Sequence, residues 1–232
     1  MKKKIILISV CSFVGALVLA LAIPFTILGV KTAGIKNEWE YMKDNATYSQ
    51  KVEVEGINLV KQHISCGYAT IEMMSEFYGE KITEDDLDKK NNGSVSTSST
   101  KGFYNEINDS IKNNEFVSRT YLDNDVLLKE IHGSLEKNNP VAIEWAAKYE
   151  EEWTLHFSIV TCLDICANQV TVYNPYGYIE NLSVSDFLER TTFEAFESMP
   201  LFLKFGFAFG AFDKNAIFYL KWVNAIKVQK RI

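Results

Sequence analysis

Histidine is scarce in this chain: His63, His132 and His156 are the only three in 232 residues. Any imidazole chemistry must use one of them. Cysteine is nearly as rare, with Cys11, Cys66, Cys162 and Cys166, and their spacing makes no disulfide framework. Cys162 and Cys166 fall in a segment read as strand, roughly 13 Å apart at ~3.3 Å per residue, too far to bridge. No second ligand pair follows them, so they are expected as buried core thiols and no metal is expected. There is no G-x-x-x-x-G-K-[ST] phosphate loop and no internal repeat. Basic residues are not clustered either: 24 Lys and Arg stand against 30 Asp and Glu, for a net charge of -6. Without a basic patch, nucleic acid is not an expected partner. No organic cofactor is called for.

The composition, 47% hydrophobic and 23% charged, suits one globular domain plus an extra segment. That segment is N-terminal. Met1-Lys2-Lys3-Lys4 is a basic head, and Ile5 to Val30 carries no charge. At ~1.5 Å per residue this run exceeds a ~30 Å hydrocarbon core, so a lipid bilayer is the expected partner of residues 5–30. An uncleaved signal anchor is expected. The alternative is a cleaved signal peptide and a secreted domain, for which Thr32-Ala33-Gly34 is only a weak cleavage match. The lysine bias places the N-terminus inside and the main domain outside the cell. The expected organisation is head and single-pass anchor over 1–30, linker over 31–50, and one domain over 51–232. Cys11 then lies in lipid.

Within the domain, the apolar residues Ala69, Ile71, Met73, Met74, Phe77 and Tyr78 recur at helical spacing, and Gly79 closes the run. Cys66 stands at the first turn. The free N–H groups and the dipole there favour a thiolate, and Cys66 is expected as the one reactive thiol. Further helices are expected from Thr83, over Lys101–Lys112, from Asp123 to Glu136, and from Ser183. Strands are expected at Val52–Val54, Phe116–Leu122, Pro140–Trp145 and Asn215–Trp222. Leu155–Cys166 and Gln169–Tyr173 should form a hairpin turned near Ala167-Asn168, ended by the turn Asn174-Pro175-Tyr176-Gly177. The run Phe205–Gly210 fits a strand with one aromatic face and a helix equally.

A thiolate needs a base and a group that orients the base. His132 lies mid-helix, and His63 is too close along the chain to be well placed. His156 opens a strand and is the expected base. Asn174, at the end of the next strand, is the expected orienter, with Asp164 as the reserve.

The segments Ser65-Cys66-Gly67-Tyr68-Ala69, Leu155-His156-Phe157-Ser158-Ile159-Val160 and Val172-Tyr173-Asn174-Pro175-Tyr176-Gly177 resemble the nucleophile, histidine and Asp-Pro motifs of the peptidase C39-like branch of the papain-like cysteine peptidases. The resemblance covers roughly residues 50–182. It implies an α+β papain-like fold, with a nucleophile helix packed on an antiparallel sheet, and a thiolate–imidazolium pair. It further implies an oxyanion-hole glutamine, a role Gln62 would take, although the family glutamine usually stands six residues before the cysteine and Val60 occupies that place. The family more often has Asp where this chain has Asn174, so Asn174→Asp is expected to keep substantial activity. The implied function is an extracytoplasmic cysteine peptidase acting on a peptide or protein. Acyl transfer by the same Cys-His chemistry and non-catalytic peptide binding are the alternatives.

Overall fold

The computed structural model describes residues 2–221, without the side chains of residues 2–14, Leu17 and Ala195. The sequence ends in a basic tail, Lys227 to Arg231, which lies outside the described residues.

The longest strand, β4 (Glu152–Asp164), organises the sheet. Its first half pairs with β3 (Val141–Tyr149), from Val141 opposite Val160 to Tyr149 opposite Glu152. Its second half pairs with β5 (Gln169–Asn174) on the other edge, from Ile159 opposite Tyr173. β6 (Tyr178–Leu182) continues beyond β5. β7 (Ala216–Leu220) lies beyond β3, and β2 (Phe116–Arg119) beyond β7. The two-residue β1 (Val52–Glu53) extends the β3 edge against β4. Every pairing is antiparallel, in the order β2-β7-β3-β4-β5-β6. The strands are apolar in continuous runs, because helices cover the sheet: Val141 to Ala147 and His156 to Leu163 are buried throughout.

The helices supply that cover. α2 (Cys66–Phe77) packs on β4. Its neighbours are α3 (Glu84–Lys90), started by a Thr83–Asp86 capping box, and α4 (Thr100–Ser110), started by Ser99. Phe103 of α4 stacks on Phe157 of β4 at 4.3 Å. α5 (Asn124–Leu135) buries Leu127, Leu128 and Ile131, and α6 (Val184–Thr191) packs on β3. His132 is buried within α5 against the edge of Tyr48. The α+β expectation is met. So are the helix starts and the β4–β5 hairpin, whose turn holds Asn168 at φ +54°.

Four local expectations need correction. β3 runs to Tyr149 and β4 starts at Glu152, three residues earlier than the periodicity indicated. The turn between them sets Glu150 in the left-handed region at φ +54° without the usual Gly or Asn, so it carries no turn signature. β6 is an additional strand. Cys162 is buried as expected, but Cys166 lies past the end of β4 and is exposed. Trp39 and Met42, expected in a linker, are buried, beside a 3₁₀ turn over Glu40–Asp44.

The Phe-rich run forms a helix, α7 (Leu201–Ala208), with Leu203 and Phe207 turned inward. It packs on the C-terminal part of α1 (Lys2–Ala33), where Phe205 meets Phe25 edge-on at 5.5 Å. The expected transmembrane helix is not found: among the described residues no helix is long and apolar enough to cross a membrane. The first part of the run Ile5–Val30 has side chains outside the described ones. The remainder, from Gly15, is about 24 Å of helix at ~1.5 Å per residue, short of a ~30 Å core.

Candidate active site

The loop before α2 is held from below. Glu84, fully buried at the start of α3, accepts the backbone N–H groups of His63 (3.1 Å), Ile64 (2.9 Å) and Ser65 (2.9 Å). Ser65 then caps α2, accepting the Tyr68 N–H at 3.1 Å. Cys66 is the first helical residue, so its own N–H and that of Gly67 have no partner within the helix. Glycine at 67 has a steric cause: a Cβ there would stand 2.3 Å from Thr97 Oγ1 and 2.5 Å from its Cβ. Only glycine lets the first turn sit this close to the loop before α4.

The Cys66 thiol lies against the backbone N–H of Phe157, the residue after His156. β5 begins to pair with β4 only at Ile159, which leaves this edge open to the helix tip. Burial pushes the thiol up to about 11; the N–H groups of Phe157, Gly67 and Cys66 oppose the rise without cancelling it. A second buried carboxyl stands behind the site. Glu144 of β3 takes a 2.5 Å hydrogen bond from Thr100, and burial holds it well above the usual carboxylate range.

His156 is buried on β4, with Tyr176 stacked on its ring at 4.0 Å. Its Nε2 meets Asn174 Oδ1 at 2.8 Å. The orientation of that amide follows from its other partners. The Tyr176 N–H can only donate, and it reaches Oδ1 at 2.9 Å; the opposite end, Nδ2, donates to Glu180 Oε1 at 2.6 Å. Oδ1 is therefore the acceptor for His156 as well. Nε2 carries the proton, and Nδ1 keeps the lone pair. Burial lowers His156 to about 4, with the Asn174 bond opposing the shift. Burial thus works against the charged forms of both side chains, while the N–H groups at the helix start and the Asn174 bond favour them.

The expected residues fall as follows. Asn174 meets His156, and Cys66 lies beside the same stretch of β4. Gln62 is tied to this corner by its backbone, its N–H donating to Pro175 O at 2.8 Å, and its Oε1 is buried without a partner among the described residues. His63 points elsewhere, to Glu84 at 3.0 Å and Asp85 at 3.1 Å. Asp164 caps the β4–β5 turn, accepting the Ala167 N–H at 2.8 Å. Among the described residues no group of three or more His, Cys, Asp or Glu is arranged to hold a metal ion.

A family model described as the Peptidase_C39-like family matches residues 42–199. The chain belongs to the peptidase C39-like family. Cys66, His156 and Asn174 all fall inside the matched segment, and the antiparallel sheet with the Cys66 helix packed on it is consistent with the papain-like fold. No curated protein sequence matches the chain. Membership makes this a cysteine-peptidase-like domain, in a family that also includes non-catalytic members. Two residues of the C39-like site were not legible in the sequence. Glu180 of β6 holds the Asn174 amide and is itself bound by Arg190 of α6 at 2.8 Å. Arg190 in turn lies over the Trp145 ring at 5.1 Å. Glu180 lies on the additional strand β6, which the sequence did not indicate.

Proposed function

We propose that this C39-like domain is a membrane-anchored cysteine peptidase that hydrolyses peptide bonds through a thioester on Cys66. The observation that carries the reading is the His156 tautomer, fixed by Asn174 so that the basic nitrogen is Nδ1. In this mechanism Nδ1 takes the thiol proton as sulfur attacks the peptide carbonyl carbon. The oxyanion is met by the Cys66 N–H and the Gln62 side chain. Collapse breaks the C–N bond, and the amine leaves with the proton from His156. Water, deprotonated by the same imidazole, then hydrolyses the thioester and restores the thiol. The substrate is a peptide or protein.

The anchor belongs to the same reading. Lys2–Ala33 is one continuous helix, uncharged from Ile5 to Val30 and preceded by lysines. The span this reading needs uses the whole run Ile5–Val30, including residues whose side chains lie outside the described ones, and the lysines before it favour the C39-like domain outside the cell.

The test is labelling by a peptide bearing a thiol-reactive electrophile, with Cys166→Ser present to remove the exposed thiol. Cys66 is expected to be modified at neutral pH, and His156→Ala to slow this by at least a hundredfold. Equal labelling with and without His156 would leave a peptide-binding domain as the better reading.

A further inference from the structure

Among the described residues, the outer face of α7 exposes a run of large apolar side chains. At 100° per residue, Leu201, Phe202, Phe205 and Phe209 fall within an arc of about 100°. Leu201, Phe202 and Phe209 are 66%, 71% and 59% exposed, while Leu203 and Phe207 point into the core. The helix is thus apolar on both sides. Its one charge is drawn off the stripe, with Lys204 Nζ donating to Glu197 O at 2.8 Å. The stripe is continuous with α1 through the Phe25–Phe205 contact, and α1 exposes Val18, Leu19, Ile23, Ile27 and Val30. A patch of this kind on a soluble monomer marks an interaction site.

We propose that α7 lies in the bilayer surface beside α1, with Leu201, Phe202 and Phe209 in the acyl region. This rests on the anchored reading. Continuity with the uncharged helix selects lipid as the occupant: whatever solvent covers the upper turns of α1 also covers the stripe. Lys31, in the last turn of α1, and Lys36 then stand at the headgroup level. The domain is held to the membrane at two places, which fixes its tilt.

The full chain, with Phe202→Trp or Phe209→Trp, is reconstituted in phosphatidylcholine–phosphatidylglycerol vesicles carrying brominated acyl chains. The emission added by either substitution is expected to be quenched at least twofold, and that added by Ile179→Trp on β6 to be unchanged. Chain that floats with the vesicles while the emission added by Phe202→Trp stays unquenched overturns the α7 proposal and leaves the anchor standing. Failure to float overturns both. Shielding of that added indole from acrylamide without bromolipid quenching places a second protein copy on the stripe and also overturns the proposal.

A second inference stands on different side chains. We infer that Glu180, held by Arg190, is a positioning residue that requires an amide at position 174. Asn174 is fully buried, and its Nδ2 faces a carboxylate oxygen at 2.6 Å. Aspartate there would put two carboxylates in contact where the amide now donates, and like charges that close repel each other. On this inference Asn174→Asp loses activity in this chain, against the expectation drawn from the family resemblance. This rests on the Cys66–His156 reading, and the parent chain's labelling tests that first. Asn174→Asp is expected to slow electrophile labelling of Cys66 at least tenfold and to raise the His156 pKa seen by NMR. Asn174→Asp with Glu180→Gln should return labelling to within about threefold of the parent, since the Gln amide can donate to the new carboxylate. If Asn174→Asp does not fold, folding regained in the double variant supports the same point. A double variant no better than Asn174→Asp overturns it.

Discussion

Burial works against the charged form of each of the two groups proposed to react. His156 in the folded chain sits at about 4, below its ordinary 6.5, and Cys66 at about 11. The base must be neutral to accept a proton, and it loses neutrality only as pH falls through about 4. We expect kcat/KM to rise with pH through about 4 and then to stay level across neutral pH. A resting thiolate–imidazolium pair would instead give a bell, with an alkaline limb where the imidazolium is lost. Measuring the profile with a fluorogenic peptide separates the two. Gly67 makes a second residue-scale test. Gly67→Ala must displace Thr97 or the first turn of α2, because the added Cβ meets both Oγ1 and Cβ of Thr97 inside 3 Å. Labelling of Cys66 should slow more than tenfold, and Gly67→Ala combined with Thr97→Gly should recover much of the loss. Recovery absent from that pair would mean the glycine serves something other than this contact.

At the scale of elements, the site is a helix tip set against an open strand edge, and the two are held by carboxylates from elsewhere. Glu84 brings the pre-helix loop to α2, and Glu180 brings β6 and α6 to Asn174. Glu84→Ala removes the acceptor of three backbone N–H groups. With ~1.5–3 kcal/mol for a hydrogen bond to a charged group, and partial rescue by water, a loss of about 3 kcal/mol is expected in urea unfolding. A loss under about 1 kcal/mol would show that the loop holds itself. These carboxylates mark the limit of what the chain discloses in one dimension. Cys66, His156 and Asn174 were legible because each stands at a local signal: a helix start, the start of the buried run of β4, an Asn-Pro turn. Glu84 read as an ordinary acidic first-turn residue and Glu180 fell in a stretch assigned to no element, because their partners lie 19–21 and 6 residues away in the chain. The β3–β4 turn was hidden by a left-handed Glu150, and Cys166 by the early end of β4. The Phe-Gly alternation near 205 could not choose between strand and helix, since strand spacing gathers Phe205, Phe207 and Phe209 on one face and helical spacing gathers Phe205, Phe209 and Phe212. The contacts of Leu203 and Phe207 with Phe193 and Met199 made the choice.

For the whole molecule, the decisive question is how the C39-like domain sits relative to a membrane. The chain is acidic overall, yet lysines gather where α1 ends: Lys31 lies in its last turn and over the Tyr121 ring at 4.8 Å, and Lys36 follows. The backbone after α1 does not drift away from the domain. Lys36 donates its N–H to Asp123 at 2.8 Å, Asn124 returns an N–H to Lys36 O at 2.9 Å, and Trp39 and Met42 are buried. There is thus no free tether between α1 and the domain, and the two should move as one piece. A peptidase held this way reaches only substrates that come to the membrane surface, which a flexible stalk of twenty residues would not impose. Protease shaving of intact cells tests both features together. If the domain is outside, it should be lost to an added protease. The cut should fall at exposed turns such as Glu150–Glu151 or Asn92–Gly93 before it falls within residues 31–50, where the buried Trp39 and Met42 protect the chain. Full protection of the domain would reverse the orientation, and first cleavage within 31–50 would restore a loose linker.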